Sequence, residues 1–224
     1  MADEQAYLGT NFNALIGALA ASGHDFQAAV TSSDVCQDEI PDNLAQRRCP
    51  VDYGGSAATH HRGNFIGTPG QQVLKQGQGD LVNKFNQYTN VGTNGSGFEH
   101  GLYAAKMALD KVTSGNNDAL VRPDAFLAVI VVSDEQDDGI GLSQVDAYNN
   151  NNYHEMGLTT FQWTDDDMVA YLSGVKGPGN FSVSTITGTR DAQGEMCTAP
   201  HSNPLEEGTQ YINAAAKTGG VVQS

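Results

Sequence analysis

Phe126-Leu-Ala-Val-Ile-Val-Val-Ser133 is the most apolar run in this 224-residue chain, and Asp134-Glu-Gln-Asp-Asp138 follows it without a break. A β-branched run with no polar alternation reads as a central parallel strand, covered on both faces. The four carboxylates that follow it repel one another, so they call for a cation or for hydrogen-bond donors close by. In open sheets of parallel strands, ligands bind at this carboxyl end. Asp134, directly after the strand, is therefore the first candidate functional residue.

Working outward, the downstream half alternates helix and strand. Asp165-Asp166-Asp167 is placed to cap a helix whose buried face carries Met168, Tyr171, Leu172 and Val175. Phe181 to Gly188 alternates as a strand. Gly208 to Lys217 reads as a helix closed by Thr218-Gly219-Gly220, and Val221-Val222 opens another apolar run. Upstream, Leu8, Phe12, Leu15, Ile16 and Leu19 are spaced for a helix over 3–21 that ends near Gly23. Phe26 to Val30 reads as a short strand, and Asp80 to Tyr88 as a helix with Leu81, Val82, Phe85 and Tyr88 on one face. Gly92-Thr-Asn-Gly-Ser-Gly-Phe-Glu99 is a glycine-rich turn into a further helix, on which Leu102, Ala105, Ala108 and Leu109 face inward and His100 is expected at the surface.

The order helix, strand, long loop, helix, helix, strand, helix, strand, helix, strand implies an α/β fold. The expected form is one doubly wound, mostly parallel sheet with helices on both faces. Residues 1–224 are read as a single domain, with a long loop insertion at about 35–78 and a second loop at about 188–207. Gly63-Asn-Phe-Ile-Gly67 is expected to dock two apolar side chains on the body of the domain.

Eleven basic and 26 acidic residues give a net charge of −15, which repels phosphate backbones and anionic lipid head groups alike. Nucleic-acid binding is excluded on that ground, and no apolar run is long enough to span a bilayer. Cys36 and Cys49 lie in one polar loop and read as a local disulfide, a weak pointer to an oxidising compartment. Cys197 is left over, either as a free thiol or with a partner outside these residues. His60-His61 has no further ligand at metal-binding spacing and reads as loop polarity. Ser32, Ser33 and Asp34 come without a nucleophile elbow, and Gly92 to Gly97 without the Gly-Lys-Ser/Thr of a phosphate loop.

Three of these pieces in this order resemble the von Willebrand factor type A-like domain. Val129-Ile-Val-Val-Ser-Asp134 resembles the strand that supplies an aspartate to that family's metal-ion-dependent adhesion site. Gly92 to Leu102 resembles its glycine-rich turn, and Tyr211-Ile-Asn-Ala-Ala-Ala-Lys-Thr-Gly-Gly220 its last helix. The phrases Phe26 to Asp34, Gly97-Phe-Glu-His-Gly-Leu102 and Leu127 to Glu135 are similar to a subgroup of bacterial envelope-associated or secreted members.

The resemblance implies a divalent cation, Mg²⁺ or else Ca²⁺ or Mn²⁺, held by Asp134 with Ser96 as hydroxyl ligand and Thr93 as the near alternative. It implies a non-catalytic adhesion module, extracellular, periplasmic or in the cell envelope, whose protein partner completes the metal shell with a carboxylate. The family's Asp-x-Ser-x-Ser motif is absent. Met1-Ala-Asp-Glu-Gln5 resembles the residues that come directly after that motif in the family, which implies a first strand upstream of residue 1 and a last strand cut after residue 224. On that reading metal binding by this chain is weak or absent; the alternative is a genuine start here and a defective site. Glu135, Asp137 and Asp138 are read as a solvated acidic rim in preference to a second calcium loop. A competing function is a metal-assisted hydrolase built on the Asp134 to Asp138 cluster, although no base or nucleophile is evident beside it.

Overall fold

The computed structural model describes residues 14–19, 21–35, 61–92, 99–137, 163–197 and 207–224. They form an α/β arrangement with two separate sheets. The parallel sheet contains β3 (Leu127–Val132), β4 (Phe181–Ile186) and β5 (Val222–Gln223), in that spatial order. Leu127 pairs with Phe181 and Val132 with Ile186, while Thr185 pairs with Val222. The ladder runs one rung past each end of β3, where Leu127 N–H donates to Asn180 O (3.0 Å) and Ser133 N–H to Ile186 O (3.1 Å).

Helix α3 (Asp165–Lys176) links β3 to β4, and α4 (Thr209–Thr218) links β4 to β5. The N-cap of α3 is Thr164 rather than one of the three aspartates. Asp167 N–H donates to the Thr164 hydroxyl (3.2 Å) and Thr164 N–H to Asp167 Oδ2 (2.9 Å), a reciprocal capping box. The aspartates occupy the first turn, where the helix dipole favours them, and Lys217 of α4 pairs with Asp165 and Asp166. Helix α4 ends as the Thr-Gly-Gly sequence requires. Gly219 is left-handed (φ +70°), and a Cβ on Gly220 would collide with Val183 O, so no other residue fits there. Thr218 fastens this corner by accepting a hydrogen bond from Val183 N–H at 2.8 Å.

Helix α2 (Gly101–Thr113) holds the two halves together. Its Leu102 and Leu109 join Leu127, Val131, Phe181 and Val183 of the sheet, Met168 and Leu172 of α3, and Tyr211 and Ala214 of α4 in the main core. On its other side Ala108 meets Phe65 and Val73, while Tyr103, Ala104 and Met107 meet Val35. The second sheet is a two-stranded antiparallel pair, β1 (Gln27–Ala28) and β2 (Leu74–Lys75), with Gln27 opposite Lys75. Helix α1 (Leu81–Thr89) packs Leu81, Phe85 and Tyr88 on Ile16 of the helical stretch 14–19 and on Leu74. Asn117 ties the 61–76 segment to α2. It accepts from Phe65 N–H (3.0 Å) and donates to Gly63 O (2.9 Å) and Ala108 O (3.1 Å).

Several expectations change. Among the described residues there is not one sheet but two, and the helices that cluster with the parallel sheet all meet the face that carries Leu127, Val131, Phe181 and Val183. On the opposite face Ile130 is 50% and Ile186 40% exposed, so among the described residues that side of the apolar run is only partly covered. Within residues 61–76, Phe65 and Ile66 pack on the body as the two expected apolar side chains, and β2 lies in that stretch. Val82, Leu15 and Val175 are exposed; Val82 and Leu15 each sit about 100° around the helix from a buried neighbour, Leu81 and Ile16. Cys36, Cys49 and His60 lie outside the described residues, as do Leu8 and Phe12, and Cys197 is a free, partly buried thiol.

Candidate functional site

The carboxyl end of β3 gathers the polar groups. Ser133, nearly fully buried, stands beside Glu99, the residue two before α2. Its Oγ lies 2.5 Å from Glu99 Oε2 and 2.9 Å from Glu135 O, and accepts from Glu135 N–H at 3.1 Å. One hydroxyl proton cannot serve both oxygens. When Glu99 is ionised Ser133 donates to it; when Glu99 is protonated, Glu99 donates and Ser133 is released to Glu135 O. Burial pushes the Glu99 carboxyl up from 4.5 to about 7; the Ser133 hydrogen bond opposes this, and the Asp134 and Glu135 charges add to it.

Asp134 is thus where the sequence puts it, at the strand end and close enough to Glu99 to disfavour a second charge. Asp137, read as part of a solvated rim, is completely buried instead. Its Oδ2 accepts from Leu102 N–H at 2.9 Å, satisfying one of the free amides in the first turn of α2. Tyr211 lies against it: burial first, then the Asp137 and Glu99 charges, hold the phenol well above its ordinary range. The Tyr211 hydroxyl also accepts from Gly101 N–H at 3.3 Å. His100, expected at the surface, is buried, because its backbone N–H donates to Ser33 O (3.2 Å) where the 26–35 segment crosses the start of α2.

Ser96, Thr93 and Asp138 lie outside the described residues. Within them, no three His, Cys, Asp or Glu side chains converge as a metal-binding group. The donor set at the strand end does suit a hard cation: carboxylates of Asp134 and Glu99 and the Ser133 hydroxyl. Glu99 and Ser133 escape a reading of the sequence because they occupy one motif each and meet only across the fold. The available signal is an acid just before a helix whose first residue is glycine.

No family model matches this chain, and neither a curated protein nor a solved structure matches it. No described helix is long and apolar enough to cross a membrane.

Proposed function

We propose that this chain is a non-catalytic binding module of the von Willebrand factor type A-like kind, with a doubly wound sheet. In this reading Asp134, with the Ser96 hydroxyl and Thr93 as its alternative, holds a divalent cation at the carboxyl end of β3. Mg²⁺ suits such hard oxygen ligands, and Ca²⁺ or Mn²⁺ can replace it. A protein partner then supplies a carboxylate to an open position of the shell, without any bond being made or broken. The setting is extracellular, periplasmic or in the cell envelope.

The observation that carries this reading is the position of Asp134 at the end of the apolar strand, beside a Glu99 whose proton is retained to about pH 7. A site that resists a second negative charge is one that a cation would relieve.

The test is Mn²⁺ titration followed by paramagnetic broadening of amide resonances. Weak binding that broadens residues 133–135 first, and is abolished by Asp134→Ala, is the expected result. Tight binding unaffected by Asp134→Ala would refute the site.

A further inference from the structure

Away from the strand end, three aromatic rings converge on one cation. Tyr103 of α2, Trp163 just ahead of α3 and Tyr171 within α3 place their ring centroids 5.5, 5.7 and 5.9 Å from Lys106 Nζ. The rings are walls rather than a stack: Tyr103 and Trp163 meet at 65° with centroids 5.6 Å apart, Trp163 and Tyr171 at 71° and 6.1 Å. A carboxylate completes the box. Asp110 Oδ2 lies 2.6 Å from Lys106 Nζ, and the Tyr171 hydroxyl donates to Asp110 Oδ1 at 2.7 Å, fixing both the acid and the ring.

We propose that this box is a binding site for a trimethylammonium group, with Lys106 as its exchangeable resident. Three ring faces within about 6 Å and one anion are the chemistry that recognises quaternary ammonium ions. The resident remains accessible: Lys106 and Asp110 form an i, i+4 pair on one helix, with a quarter of the lysine side chain and half of the carboxylate exposed. A primary ammonium must also give up strong hydration to sit among rings, whereas methyl groups on a quaternary nitrogen gain by leaving water. The Trp163 indole N–H has no hydrogen-bond partner among the described residues, so no polar contact accounts for the ring's position. The net charge of −15 raises the local concentration of any cation.

Trp163 is the only tryptophan in the chain, so its emission reports on this site alone. The full chain is titrated with choline and, as a neutral isostere, with 3,3-dimethylbutan-1-ol. Phosphatidylcholine vesicles form a separate arm that distinguishes a lipid head group from the free ion as the source. The expected result is a saturable emission change with choline or vesicles and none with the neutral alcohol. Affinity should rise on the order of tenfold in Lys106→Ala and fall by a similar factor in Asp110→Asn and Tyr171→Leu. Circular dichroism of each variant separates loss of binding from loss of fold. Absence of a saturable response in the wild-type chain to either probe overturns the proposal, even if Lys106→Ala responds, since Lys106 would then be a fixed structural cation. An equal response to the alcohol overturns it too.

Discussion

Ser133 and Glu99, 34 positions apart in sequence, share a 2.5 Å hydrogen bond at the carboxyl end of β3. It joins the strand to the segment entering α2 and places a carboxyl in a buried setting where its charge is disfavoured.

The first prediction rests on that placement. The Glu99 carboxyl is raised in the folded chain, from 4.5 to about 7, so the native state binds the extra proton between those values. Stability from this group is therefore fully present below pH 4.5 and is lost as pH rises through 7, by at most about 3 kcal/mol. Urea unfolding at pH 5 and pH 8 measures the loss. Glu99→Gln, which keeps a hydrogen-bonding partner for Ser133 but does not titrate, should shrink the difference between the two pH values. An unchanged difference would remove Glu99 as its source.

Asp137 gives a second prediction. Its buried carboxylate serves Leu102 N–H and lies against the Tyr211 hydroxyl. Asp137→Ala leaves those groups without it and should cost roughly 2–4 kcal/mol, a fall in Tm of about 5–10 °C for a chain of this size. Asp137→Asn retains a neutral acceptor and should cost less than half as much. Thermal melts of the two variants at one pH provide the comparison.

A third prediction concerns two helical glycines with opposite outcomes. At Gly174 of α3 an added Cβ meets nothing within 4 Å, so Gly174→Ala should stabilise by roughly 0.5–1 kcal/mol through helix propensity. At Gly101 the same methyl would lie 2.9 Å from the Tyr211 hydroxyl and 3.0 Å from Val131 Cγ1. Overpacking there, beside groups fixed by Asp137 and by the sheet, should outweigh propensity and destabilise by about 1–3 kcal/mol. Chemical denaturation of both variants should show opposite signs.

The elements that can be read from sequence are those whose signal is local. Helical periodicity marks α1, α3 and α4, and Gly219-Gly220 declares the end of α4 because only glycine tolerates the left-handed turn and the approach of Val183 O. Strand β2 is invisible by the same logic. Two residues inside a polar stretch have no period, and their pairing with Gln27 and Ala28 is set by distant packing. Asp134 is legible because it follows a strand directly. His100, Glu99 and Asp137 are not, since polar residues are read as exposed unless a partner is known. Their partners, Ser33 O, Ser133 Oγ and Leu102 N–H, lie 67, 34 and 35 positions away.

The same contrast between local pattern and tertiary setting yields the last prediction, on β3 itself. Leu127, Val129 and Val131 are uniformly apolar with Ala128, Ile130 and Val132, yet alternate residues meet different surroundings: Val131 is in the main core, and Ile130 is half exposed on an edge strand. A lysine at an exposed edge costs little and discourages pairing with other chains, whereas a lysine in the core buries an unpaired charge. Ile130→Lys should therefore change stability by under about 1 kcal/mol and lower any concentration-dependent self-association seen by light scattering. Val131→Lys should leave no cooperative unfolding transition. If Ile130→Lys were as damaging as Val131→Lys, the half-exposed setting of Ile130 would not describe the folded chain in solution.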